Sequence, residues 1–231
     1  YTFYYNKISF FKDKHFNMII ERFNKIKSYI DKQKPQRPVN IVAVSKTFPL
    51  DHIKPLIEVG HIHFGENKVQ EARAKWGGLK NVKNNLQLHM VGKLQSNKAK
   101  DAVKLFDYVH SLDNQKLADA LAKNQLNLNK KLKYFIQVNI ANEIQKSGIP
   151  SNQLDDFYTY CVKELKLEVI GLMIIPPNDN NFEKYFKTLY DLNKSLELKE
   201  LSMGMSADYI EAVQNGSTFV RIGSSIFGER S

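Results

Sequence analysis

A lysine stands directly behind a short apolar run in Ile41-Val42-Ala43-Val44-Ser45-Lys46-Thr47. An ammonium group at the end of a buried strand loses hydration, and desolvation favours the neutral amine. A neutral lysine amine is a nucleophile toward an aldehyde, so Lys46 is a candidate for imine formation. The alternative is a side chain that stretches out to water. Two later segments bear on that choice. Ser202-Met203-Gly204-Met205-Ser206-Ala207-Asp208 and Arg221-Ile222-Gly223-Ser224-Ser225 each put small, polar and glycine residues between an apolar segment and a helical one. Ser206 is placed to be a helix N-cap, and the backbone N–H groups at such a start suit an anion such as phosphate. Ordinary turn and cap chemistry uses the same residues.

Phe64-Gly65-Glu66-Asn67 and Gly92-Lys93-Leu94-Gln95-Ser96-Asn97-Lys98 are two further polar loops, and capping again explains them, with Ser96 and Asn97 suited to a helix start. His61 and His63 share one strand face at a spacing open to metal, but no cysteine, histidine or carboxylate set accompanies them, so a structural role is expected. Neither a Gly-x-Ser-x-Gly elbow nor a Walker-type loop is present, and the glycines form no dinucleotide fingerprint. The single cysteine, Cys161, falls in an apolar helical stripe and reads as a small buried hydrophobe. One cysteine makes no intrachain disulfide, and a cytoplasmic location is the default.

The elements that must position these residues alternate. Short apolar, β-branched segments predict strands at Ile41–Val44, His61–Phe64, Leu86–Val91, Tyr108–Ser111, Tyr134–Ile140, Glu168–Ile174, Glu200–Ser202 and Thr218–Ile222. Between them run helical stripes such as Ile19, Phe23, Ile26 and Ile30, or Leu154, Phe157, Tyr158, Cys161, Val162 and Leu165, or Phe182, Tyr185, Phe186, Leu189, Leu192 and Leu196. Strand alternating with helix argues for a parallel sheet. Eight such units without a Pro/Gly-rich linker suit a single closed (β/α)₈ TIM barrel, whose chemistry sits at the carboxyl ends of the strands and whose phosphate sites favour the loops after strands 7 and 8.

Composition agrees with one globular domain: 231 residues, 42% hydrophobic and 25% charged. No apolar run approaches the roughly 20 residues of a membrane span, so no membrane partner is expected. The formal charge of +10, from 34 Lys and Arg against 24 Asp and Glu, favours anionic partners. The cations are dispersed, and no nucleic-acid-binding module is recognisable, so nucleic acid is the least favoured partner. Tyr1–Asn17 is basic and aromatic without the apolar core of a signal peptide. It is expected to be a weakly ordered leader (1–17) ahead of the barrel domain (18–231). No long hydrophobic repeat demands a second copy, and a monomer is expected.

A nucleophilic lysine across a barrel mouth from a phosphate cradle meets the needs of pyridoxal 5′-phosphate, which also requires a partner for its ring nitrogen. The segments already quoted, together with His89-Met90-Val91, Lys146-Ser147-Gly148, Gly171-Leu172-Met173 and Val220-Arg221-Ile222-Gly223, stand in an order that closely resembles the pyridoxal phosphate homeostasis proteins. The resemblance covers about Met18 to Arg230. It implies a fold-type III barrel similar to the N-terminal domain of alanine racemase, without that enzyme's second β-domain. It implies that Lys46 forms the imine, that Ser206, Gly223 and Ser224 hold the phosphate, that Arg221 meets the pyridine nitrogen, and that Asn67 lies in the mouth near the cofactor. The implied role is to buffer and deliver pyridoxal phosphate, with apo enzymes as recipients and no established turnover. An arginine partner leaves the ring nitrogen unprotonated and the ring a poor electron sink. Racemisation also needs an opposing base, which alanine racemase takes from outside this barrel. The competing enzyme reading is a pyridoxal phosphate-dependent amino-acid racemase.

Overall fold

The computed structural model describes residues 2–80, 82–83, 85–141, 143 and 147–229, with side chains from residue 16 onward. Among the described residues eight parallel strands close into a barrel: β1 (Asn40–Val44), β2 (His63–Glu66), β3 (Gln87–Met90), β4 (Tyr108–Leu112), β5 (Lys133–Asn139), β6 (Glu168–Met173), β7 (Glu200–Ser202) and β8 (Phe219–Ile222). Closure is made by β1 pairing with both β2 and β8, and by β4 pairing with β5. A two-residue strand, Ile149–Pro150, adds to the end of β5. The connecting helices are α1 (Thr2–Lys32), α2 (Leu50–Glu58), α3 (Val69–Lys80), α4 (Ala99–Leu105), α5 (Gln115–Leu128), α6 (Leu154–Thr159), α7 (Phe182–Ser195), α8 (Tyr209–Gln214) and α9 (Ser224–Phe227). This is the (β/α)₈ barrel that the alternation predicts.

Side chains of successive strand residues face opposite ways, so each strand feeds two cores. Val42, Tyr108, Phe135, Met173 and Phe219 pack together inside the barrel. Their chain neighbours Ile41, Ala43, Val109, Tyr134, Ile136, Leu172 and Val220 join the larger core between strands and helices. Helix residues Ile19, Ile26, Ile30, Leu154, Cys161, Phe186 and Leu189 complete that outer layer. Cys161 is fully buried, and burial pushes its thiol up to about 12, which makes it unreactive.

One strand differs from the sequence reading by more than a residue at its ends. The second strand begins at His63, not His61, and so includes Gly65 and Glu66. The reason is local: the His61 N–H donates to Leu56 O, closing the end of α2, and its ring binds His63 O at 2.9 Å, so His61 is spent before the ladder starts. Ahead of the barrel, α1 runs from Thr2 to Lys32 and spans the position of the expected domain boundary at Met18. The side chains of residues 1–15, which carry most of the leader's aromatics, lie outside the described residues, as does Lys146.

Candidate functional site

Inward parity gathers the expected residues. Val42 faces the barrel interior, so Val44 does too, and the same two-residue step leads to Lys46 in the turn that follows. Phe219 faces inward, and Arg221 and Gly223 continue that series on β8. Register ties the strands together: Val42 pairs with Arg221, and Val44 with Gly65, two residues before Asn67. The Arg221 N–H donates to Gly204 O at 2.9 Å, two residues before Ser206. Lys46, Asn67, Ser206, Arg221, Gly223 and Ser224 therefore all stand at the carboxyl ends of four consecutive strands, β7, β8, β1 and β2.

The turn bearing Lys46 is braced from outside the barrel. Ser45 is fully buried, and its hydroxyl donates to Glu66 Oε1 at 2.7 Å. The same oxygen accepts from Lys75 Nζ and from Trp76 Nε1, both at 2.9 Å. Lys75 also donates to Ser45 O at 2.7 Å, and the Ser45 N–H donates to Gly65 O at 2.9 Å. Both polar faces of Ser45 are thus fixed immediately before Lys46. Thr47 then adopts φ +69°, a left-handed conformation that a β-branched residue enters only where its surroundings enforce it. The sequence reading treated Glu66 as loop chemistry. Its bracing role was foreshadowed only by a carboxylate in a four-residue segment ending an apolar strand, with Lys75 and Trp76 one helix later.

Arg221 is 5% exposed, and its guanidinium donates from Nη1 to Ser202 Oγ at 2.7 Å and from Nη2 to Ile174 O at 2.8 Å. Burial draws it down to about 10 while the Asp208 carboxylate opposes that, so it remains a cation at neutral pH. The loops after β7 and β8 meet where the Ser225 N–H reaches Ser206 Oγ at 3.4 Å. Ser206 is not the N-cap that its spacing suggested. Asp208 holds that place and accepts from the Met205 N–H at 2.6 Å, while Ser206 Oγ faces the Ser225 N–H in α9. Gly204 has φ +93°, and a Cβ there would stand 2.6 Å from Ala212 Cβ, so only glycine lets this loop close on α8. Where the loops after β2 and β3 meet, a Cβ at Gly92 would lie 2.4 Å from Asn67 O. Asn67 Oδ1 is itself buried and has no hydrogen-bond partner among the described residues. An orphaned acceptor, a lysine and two hydroxyls beside a buried arginine suit a phosphorylated, hydrogen-bonding aldehyde.

Two clefts lie elsewhere. One, about 660 Å³, opens at the amino end of β1 and β2 between Phe23, Arg37, His61 and His63. Another, about 980 Å³, lies between Pro35 and Tyr190. Neither contains the six mouth residues, and the case for the site rests on strand-end chemistry rather than on cavity size. Sequence reasoning also missed the polar interior: His63, His89 and His110 occupy inward positions of β2, β3 and β4 and bond to one another. A histidine within each of three successive apolar strands was the available clue.

Comparison with known proteins follows the same line. Residues 15–231 match the family described as "Alanine racemase, N-terminal domain". The pyridoxal phosphate homeostasis protein of Pasteurella multocida is 38% identical over 210 residues, covering 86% of this chain and 89% of that protein. Its Escherichia coli counterpart is 34% identical over 201 residues, covering 83% and 86%. PipY of Synechococcus elongatus, solved with pyridoxal phosphate bound, superposes with a TM-score of 0.80 at 34% identity, over 91% of this chain and 100% of that one. Alanine racemase of Clostridium difficile shares the fold at a TM-score of 0.68 and 14% identity, with 93% of this chain on 57% of that enzyme. With its barrel closed and four of its strand ends furnished in this way, the chain belongs to the pyridoxal phosphate homeostasis protein family.

Proposed function

We propose that this protein binds pyridoxal 5′-phosphate through Lys46 and serves to hold and deliver it. The observation that carries the reading is the convergence of Lys46, Asn67, Ser206, Arg221, Gly223 and Ser224 on one arc of the mouth, in a chain whose solved relative PipY has that cofactor bound. When bound, the cofactor supplies an electrophilic aldehyde and an electron-withdrawing ring. Lys46 would supply the amine that holds the aldehyde carbon, with one water lost. The Ser206 hydroxyl and the backbone at Gly223 and Ser224 hold the phosphate, Arg221 faces the ring nitrogen, and Asn67 lines the rim.

Arg221 favours storage over turnover. A cationic donor at the ring nitrogen withholds the proton that would make the ring an electron sink. Release would need water or the amine of a recipient apo enzyme to take the place of the Lys46 amine, which would be returned free. The reading places the protein in the cytoplasm as a monomer, the expectation carried by its single cysteine and the lack of a hydrophobic repeat.

Borohydride reduction of the loaded protein, followed by peptide mass mapping, should put the pyridoxyl group on Lys46. An adduct mainly on Lys93 or Lys98 overturns the assignment. Loaded protein mixed with an apo pyridoxal phosphate enzyme should restore that enzyme's activity. Robust racemisation of L-alanine or L-serine with no delivery would replace the carrier by the racemase reading.

A further inference from the structure

Arg221 is the end of a longer chain of hydrogen bonds. Ser202 Oγ, which accepts from Arg221 Nη1, lies 2.7 Å from His110 Nδ1. His110 Nε2 lies 2.9 Å from His89 Nδ1, and His89 Nε2 lies 3.0 Å from His63 Nδ1. The five side chains come from β8, β7, β4, β3 and β2, so the bond between Ser202 and His110 crosses the barrel. Rings wall the chain in: His89 stacks on Tyr108 at 4.2 Å, His110 on Phe135 at 4.4 Å, and Phe219 lies within 6.2 Å of all three imidazoles. The charged groups acting on it are Arg221 at one end and Lys80, Asp107 and Lys133 toward the other. No carboxylate hydrogen-bonds to His89 or His110 among the described residues, and burial holds both in the neutral form.

Proton counting restricts the chain. A neutral imidazole offers one donor and one acceptor. Three of them joined Nε2 to Nδ1 can run in only two directions. A guanidinium only donates, so Ser202 Oγ must accept from Arg221 and is free to give its own proton to His110 Nδ1. That direction turns the lone pair of every imidazole toward the cation and its N–H away from it.

We propose that Ser202, His110, His89 and His63 form a polarised chain, with all three imidazoles in the Nε2–H tautomer, that positions Arg221 for the cofactor's ring nitrogen. Ser202 fixes Nη1 and Ile174 O fixes Nη2, leaving the remaining N–H groups of the guanidinium for the ligand. The part concerning the ring nitrogen rests on the function proposed above; the tautomers do not.

The first arm therefore uses the cofactor-free protein with ¹⁵N-labelled histidine. Nitrogen–proton correlation spectra at neutral pH should show His63, His89 and His110 neutral and protonated on Nε2. An Nδ1–H tautomer or an imidazolium at His89 or His110 overturns the chain without any variant being made. The second arm compares S202A with S202T after addition of pyridoxal phosphate. S202A should leave His110 with mixed tautomers, move the absorption maximum of the Lys46 adduct in the direction that R221A moves it, and weaken cofactor binding about 5- to 10-fold. S202T should restore all three. Unchanged tautomers and an unchanged spectrum in S202A overturn the positioning role. Wild-type protein that takes up no pyridoxal phosphate overturns the proposed function itself, while the first arm still judges the chain.

Discussion

Replacing Glu66 by leucine should unseat the turn that carries Lys46. The carboxylate is fully buried, and its Oε1 accepts from Ser45, Lys75 and Trp76. Leucine fills a similar volume but accepts nothing. The buried Trp76 N–H then lacks a partner, at about 1–3 kcal/mol. The Lys75 ammonium, whose side chain is 11% exposed, loses its carboxylate, and removing one member of a buried pair costs about 3–5 kcal/mol. These costs overlap, because Lys75 keeps Ser45 O at 2.7 Å and can lean toward water. A total of about 4 kcal/mol follows, which for a chain of this size lowers Tm by about 8–16 °C. Glu66→Gln retains an acceptor and should cost only about 1–2 kcal/mol. Thermal unfolding followed by circular dichroism measures both, and the rate of adduct formation at Lys46 should fall in parallel. Lys75→Met should be costly in the wild type and mild beside Glu66→Leu, giving a coupling of about 1–3 kcal/mol. A loss below about 1 kcal/mol for Glu66→Leu, or no coupling with Lys75, would refute the bracing argument.

Arg221→Ala removes a charge-assisted donor of about 1.5–3 kcal/mol, so pyridoxal phosphate should dissociate about 10- to 100-fold more readily from a still cooperatively folding barrel; equal retention by dialysis would show that Arg221 does not meet the ligand. A chain starting at Met18 should keep its Tm within a few degrees and still bind the cofactor, since Ile19, Ile26 and Ile30 supply the buried stripe of α1; loss of either property would mean that residues 1–17 pack on the barrel. Burial holds His89 and His110 well below the ordinary imidazole value, so an unfolded chain takes up protons below pH 6.5 that the folded barrel refuses. Stability should then be level above pH 7 and fall below pH 6.5 by up to about 1.4 kcal/mol per pH unit for each histidine. An unchanged Tm between pH 7.5 and 5.5 would contradict that.

Much was legible in the sequence because it is local. Apolar strand runs such as Ile41–Val44 and stripes such as Ile19, Ile26 and Ile30 carry their own period, and strand alternating with helix leads to the barrel. Lys46 could be singled out because its chemistry depends on following a buried strand, which is a property of neighbours in the chain. The tertiary structure decided the remainder, since it turns on which distant residues meet. Asp208, not Ser206, stands at the cap of α8 and accepts from the Met205 N–H, while Ser206 Oγ accepts from the Ser225 N–H in α9, beyond the next strand. Glu66 gathers donors from Ser45, Lys75 and Trp76 only because β2 lies beside β1 and beneath α3. Ser202 and His110, 92 residues apart, touch only because closure brings β7 and β4 face to face across the interior. A polar side chain in an apolar strand announces in the sequence that it needs a partner; which partner it finds is fixed by register and closure, and these exist only in the folded barrel.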